Sequence, residues 1–90
     1  MSLLPDSEVD ARLASLPGWA RDGKQIRRAY TFKGFAEAMA FVTRVALLAE
    51  KQDHHPDILV QYSSVTLTLS SHDAGGLTAR DLKLAAAIDA

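Results

Sequence analysis

The succession of hydrophobic periods along this chain predicts an α+β fold, α-β-β-α-β-β-α, in which a four-stranded antiparallel sheet carries three helices packed on one face. Three observations predict it. An Asp22-Gly23 turn is followed by residues alternating in period two; a long apolar run with helical spacing fills the middle of the chain; two more strand-like stretches are separated only by Ser63 and Ser64. No repeat, linker or low-complexity segment interrupts this order, so residues 1–90 are expected to form a single domain.

In "DSEVDARLAS", residues 6–15, Val9 and Leu13 run on to Leu16 at helical spacing behind Asp6 or Ser7 as N-cap, which predicts a short first helix. Beyond Asp22-Gly23, Ile26, Arg28, Tyr30 and Phe32 fall on one face of a strand, giving an antiparallel pair. From Phe35 to about Gln52, a stripe of Phe35, Met39, Val42, Val45 or Ala46 and Ala49 predicts a helix, with Phe41 and Leu48 off the stripe. A helix apolar on more than one side has two explanations: a wide core-facing stripe, or one side on the sheet and the other on a partner subunit. "DILVQY" and "VTLTLSSH" read as two more strands, the second with Val65, Leu67 and Leu69 inward and Thr66, Thr68 and Ser70 outward. Thr78 and Asp81 then form a T-x-x-D capping box, with Leu77 and Leu82 at the positions of a hydrophobic staple, and start the third helix.

Ten basic and eleven acidic residues leave a net charge of −1, with no basic run able to follow a phosphate backbone, so nucleic acid is not an expected partner. With no cysteine, disulfides and thiolate metal sites are excluded. "MSLLPDSEVD" has no signal-peptide pattern, and Glu37, Arg44 and Glu50 break the apolar run short of the roughly 20 residues of a membrane span. The expectation is a cytoplasmic, soluble protein. A chain of this length buries a modest core, which makes a homodimer or homotetramer a natural supplement. The lack of a G-x-S-x-G, P-loop or Rossmann glycine pattern removes several enzyme classes.

The chain has three histidines, and "EKQDHHPDILVQY" places two of them side by side where the apolar helix gives way to a strand. A hairpin centred on Ser63 and Ser64 would pair Tyr62 with Val65, Ile58 with Leu69 and His55 with His72, gathering all three histidines at one end. Pro56 has no N–H for the ladder, so regular pairing should stop near it. His54 lies four residues after Glu50 at the helix end, where a carboxylate and the helix dipole both favour the imidazolium. His72 follows the polar face of its strand and precedes "DAGG", a turn that admits close approach to the backbone, and a neutral imidazole there can act as a base. Two differently tuned imidazoles can take a proton at one atom and give one at another. A metal site is the weaker alternative: Asp53, Asp57 and Asp73 lie nearby, but adjacent His54 and His55 rarely point at one ion, and neither HExxH nor another regular ligand spacing is present. Asp81 is explained by helix capping alone.

These residues resemble the signature of the pterin-4a-carbinolamine dehydratases, or 4a-hydroxytetrahydrobiopterin dehydratases. The signature is met by Glu50, His54, His55, Pro56, Tyr62, His72 and Asp81, and "LPGW", "DGKQIRRAYTF", "AEKQDHHP" and "HDAGGLTARDLKLA" extend the resemblance over nearly the whole chain. It implies the same α-β-β-α-β-β-α fold and a cofactor-free dehydration of the carbinolamine that an aromatic amino acid hydroxylase leaves on a tetrahydropterin. It also implies His54 and His72 as the acid–base pair, with His55, Glu50, Pro56, Asp73 and Asp81 on the substrate. The assignment of acid and base stays open between the two histidines. One departure from the family pattern is Ile58, where many members have an aromatic, so a stacking wall at the pterin is absent. Animal members also bind a homeodomain transcription factor through the helix that builds their tetramer, so a non-catalytic dimerisation module is the alternative.

Overall fold

A computed structural model describes residues 2–90. Its elements are α1 (Asp6–Leu13), β1 (Ala20–Asp22), β2 (Gln25–Thr31), α2 (Phe35–Gln52), β3 (Asp57–Gln61), β4 (Ser64–Leu69) and α3 (Ala79–Asp89). The four strands form one antiparallel sheet in the order β1-β2-β4-β3. The α+β order read from the periodicity is therefore the order of the molecule.

Alternation places Ile26, Val65, Leu67 and Leu69 on one sheet face, where all four are buried in a cluster with Val9 of α1, Ala38, Val45 and Ala49 of α2, and Leu82, Leu84, Ala85 and Ile88 of α3. The other face carries Arg27, Ala29, Thr66, Thr68 and the exposed Leu59. The structure decides which side of α2 meets the core. Phe41 and Leu48, placed off the stripe, pack against the core, whereas Phe35 and Met39 face solvent together with Leu47. Aromatic contact favours this orientation: the Phe41 ring packs tilted against Tyr30 and Phe32, with centroids 4.6 and 5.1 Å apart, and the small Ala38 and Ala49 are buried in the core. Among the described residues no helix is long and apolar enough to cross a membrane. At the start of α1, Pro5 occupies the N-cap in place of Asp6 or Ser7, consistent with its fixed φ, and no side chain caps the helix.

The β3–β4 register also differs from the expected one. Val60 pairs with Val65 and Ile58 with Leu67, so the turn is Tyr62-Ser63 and every pairing slides by two residues. Ser63 is drawn into the turn because its carbonyl accepts the Phe32 N–H at 2.8 Å, while Ser64 joins the ladder opposite Thr31 and Gln61. Tyr62 takes the left-handed φ of 53° that this turn demands and remains exposed. An even slip preserves which side chains face the core, and for that reason the burial pattern still matches the alternation.

The far end of α3 is tied down by a polar cluster. Trp19 Nε1–H, an Arg28 guanidinium N–H and the Tyr30 hydroxyl donate to the Asp89 carboxylate at 2.8, 2.9 and 2.6 Å. Arg44 donates to the carbonyls of Ile88 and Ala90, satisfying groups the helix leaves unpaired at its end.

Candidate functional site

The site begins where α2 stops. Asp53 adopts the left-handed conformation (φ 50°, ψ 43°); its N–H donates to Glu50 O at 3.2 Å, and the next N–H, of His54, reaches back to Ala49 O at 3.1 Å. This is the helix-ending geometry normally given to glycine, and it reverses the chain so that two neighbouring side chains part company. His54 turns inward and is buried; His55 turns outward and bonds Glu50 Oε1 through Nε2 at 2.8 Å. The expected Glu50–His54 pair is thus replaced by Glu50–His55, because the left-handed step adds a rotation that simple helical spacing omits.

His54 instead meets Asp81. Nε2 lies 2.6 Å from Asp81 Oδ1, and the carboxylate is fully buried. Its other oxygen, Oδ2, accepts from Ser71 Oγ at 2.8 Å and from the Thr78 N–H at 2.9 Å. Ser71 Oγ and Thr78 Oγ1 are also 2.8 Å apart. Asp81 therefore serves as a helix cap, as the T-x-x-D pattern indicates, and as the partner of a buried imidazole. A carboxylate held by several donors behind one imidazole nitrogen orients the ring and leaves the other nitrogen for chemistry.

His72 lies on the loop between β4 and α3. Ser71 and Gly76 bridge across this loop, Gly75 supplies a φ of 78°, and the His72 side chain is exposed, lining an open cleft of about 230 Å³ with Asp22, Lys24, Gln25, Ser70 and the two glycines. Strand alternation sends Ser71 inward to Asp81 and His72 outward. The expected facing of His55 and His72 across the ladder is not what the structure has, since the ladder ends at Asp57–Thr68 and the register has slipped. His54 is linked instead through Asp81 to Ser71, the neighbour of His72.

Of the remaining expected site residues, Pro56 is half-buried between His55 and the first residue of β3. Asp73 is exposed and bonded by the Arg80 guanidinium at 2.6 Å, which holds its carboxyl below the usual carboxylate range. Tyr62, the signature aromatic, sits at the opposite end of β3 from the histidines, five strand residues or roughly 17 Å away. Ser71 is the member of this buried cluster that sequence reasoning missed. A signal existed: Val65, Leu67 and Leu69 point inward, so the next residue in that series is a polar side chain on the buried face. Among the described residues no group of three or more His, Cys, Asp or Glu side chains is arranged to hold a metal ion.

Comparison with known proteins places this geometry in context. The family model described as "Pterin 4 alpha carbinolamine dehydratase" matches residues 2–90. A protein of Roseiflexus castenholzii, named "Putative pterin-4-alpha-carbinolamine dehydratase", is 52% identical over 88 residues, covering 98% of this chain and 95% of its own. The crystal structure of a transcriptional coactivator/pterin dehydratase from Brucella melitensis superposes with a TM-score of 0.93 at 37% identity, covering 98% of this chain and 96% of that one. A pterin dehydratase-like protein identified as a RuBisCO assembly factor in the alpha-carboxysome reaches a TM-score of 0.68 at 27% identity, over 80% of this chain and 86% of its own.

Proposed function

The chain belongs to the pterin-4-alpha-carbinolamine dehydratase family, and from that premise we propose that it dehydrates a 4a-hydroxytetrahydropterin to the quinonoid dihydropterin and water, in tetrahydropterin recycling. The observation that carries this reading is the buried His54 held at 2.6 Å by Asp81, whose other oxygen accepts from Ser71, the chain neighbour of the exposed His72.

The reaction needs two proton movements. Hydroxide is a poor leaving group, so the oxygen on carbon 4a must receive a proton as its bond to carbon breaks. The electrons that replace it come from the ring once an N–H proton is removed, and water and a conjugated ring result. His54, oriented from behind by Asp81, and His72, standing free in its cleft, are the acid–base pair in this reading, and neither step calls on a metal or a nucleotide. His55 and Glu50, paired at the surface, together with Pro56 and Asp73, form the rim that contacts the pterin. Asp81 is fully buried and bonded on both oxygens, so it supports His54 and does not contact the substrate, a change from the role implied by the family resemblance.

The test is stopped-flow decay of chemically generated 4a-hydroxytetrahydropterin, followed by ultraviolet absorbance, with wild type and His72→Ala side by side. Acceleration by wild type alone supports the reading; a folded wild type without effect rejects it.

A second reading is a protein-interaction module, favoured by the exposed Phe35, Met39 and Leu47 along α2 and by relatives described as a coactivator and as an assembly factor. It predicts that Leu47→Asp abolishes self-association while the fold persists, measured by sedimentation. Unchanged mass would remove α2 as the contact. The two readings are compatible, because Phe35, Met39 and Leu47 are exposed whereas His54 is buried against Asp81.

A further inference from the structure

The hydrogen bonds around Asp81 have a direction that can be worked out atom by atom. A carboxylate has no proton to give, and two donors converge on Oδ2, so the single hydroxyl proton of Ser71 points at Asp81. That leaves Ser71 Oγ as acceptor in its 2.8 Å contact with Thr78, whose own hydroxyl must donate. Thr78 Oγ1 in turn accepts the Arg80 N–H at 3.3 Å. The chain of donors therefore runs in one sense, from the first turn of α3 through Thr78 and Ser71 to Asp81, and the last acceptor site, Oδ1, faces His54 Nε2.

A neutral imidazole carries one proton, and Oδ1 can only accept it. We propose that Ser71 and Thr78 are positioning residues which, through Asp81, keep the proton of neutral His54 on Nε2 and make Nδ1 the atom that exchanges a proton with the ligand. Ser71 and Thr78 are buried and touch nothing of the exposed cleft through their hydroxyls, so they act through Asp81 alone. The inference rests on the proposed acid–base role of His54 for its second half, whereas the tautomer stands on geometry.

The experiment is ¹⁵N NMR of the imidazole nitrogens in the labelled full chain, read from the neutral form, alongside turnover of the 4a-hydroxytetrahydropterin. Wild-type His54 should show its proton on Nε2. Ser71→Ala should populate both tautomers and lower kcat about 10–100-fold with KM little changed. Ser71→Thr, which keeps the hydroxyl, should restore both readouts; if Ser71→Ala does not fold, Thr78→Val gives the same comparison with Asp81 retaining its Ser71 bond but losing the donor behind it. A wild-type proton on Nδ1 overturns the proposal, as does an unchanged tautomer in Ser71→Ala. If the tautomer shifts as expected but wild type dehydrates nothing, the locked tautomer stands and the reading of function falls.

Discussion

Helix α3 has an aspartate held by three donors at each end, and the two clusters differ in what their protons can do. Asp81, at the amino end, is held by a histidine, a serine hydroxyl and a backbone N–H. Asp89, at the carboxyl end, is held by tryptophan, arginine and tyrosine. At the first position the helix dipole favours a negative charge; at the second it opposes one, and Arg28 and Arg44 offset it there. The Asp89 donors keep their protons near neutrality: arginine and indole do not titrate, and Tyr30 is held well above the usual phenol value, chiefly by burial and then by its bond to Asp89. Only the Asp81 cluster contains a group, His54, of the type that exchanges protons near neutral pH. The same local architecture thus makes a clamp at one end and, at the other, a cluster that includes a titratable imidazole, and the donor types decide which.

This contrast can be broken experimentally. The largest effect is expected at His54: His54→Ala should lower turnover by roughly 10²–10⁴ while the far clamp keeps the protein folded, checked by stopped-flow rates and circular dichroism. Asp89→Ala should do the reverse, costing about 2 kcal/mol of stability in urea melts with turnover per folded molecule unchanged. Tyr30→Phe sharpens the clamp's nature. Because the folded Tyr30 holds its proton more tightly than the unfolded chain, its stabilising share is complete below pH ~10 and is lost as pH rises further. Wild type should therefore lose stability in that alkaline range more steeply than Tyr30→Phe, which already lacks about 1 kcal/mol. The smallest effect belongs to the exposed Asp73. Its lowered folded value means that its contribution is present above the unfolded pKa and disappears as acid protonates the pair, so Asp73→Asn should flatten the acid limb of the melting curve slightly.

Much of this was legible in the sequence because it depends on period. Alternation in "VTLTLSS" survives an even register slip, so the inward set was right although the turn was misplaced. The T-x-x-D pattern located the start of α3 because capping is local in sequence. What stayed hidden depends on single backbone angles and distant contacts. Helical spacing paired Glu50 with His54, but the left-handed Asp53 hands Glu50 to His55. The union of His54 with Asp81 spans 27 positions, and no periodicity connects a helix end to the cap of another helix. Which side of α2 meets the core was also hidden, because the partners that hold Phe41 there, Tyr30 and Phe32, come from a different element.

The double duty of Asp81 has a consequence for protein engineering. Helix starts are favourite targets for stabilisation, since serine, threonine, asparagine and glutamate are freely exchanged there. In this chain, rewriting the first turn of α3 would also rewrite the support of a buried imidazole 27 positions away. Lengthening the side chain at residue 81 to glutamate, which keeps the charge and suits a capping box, would push the carboxylate toward His54 in a contact that is already 2.6 Å. A library selected for turnover should therefore tolerate less change at this turn than one selected for thermal tolerance alone.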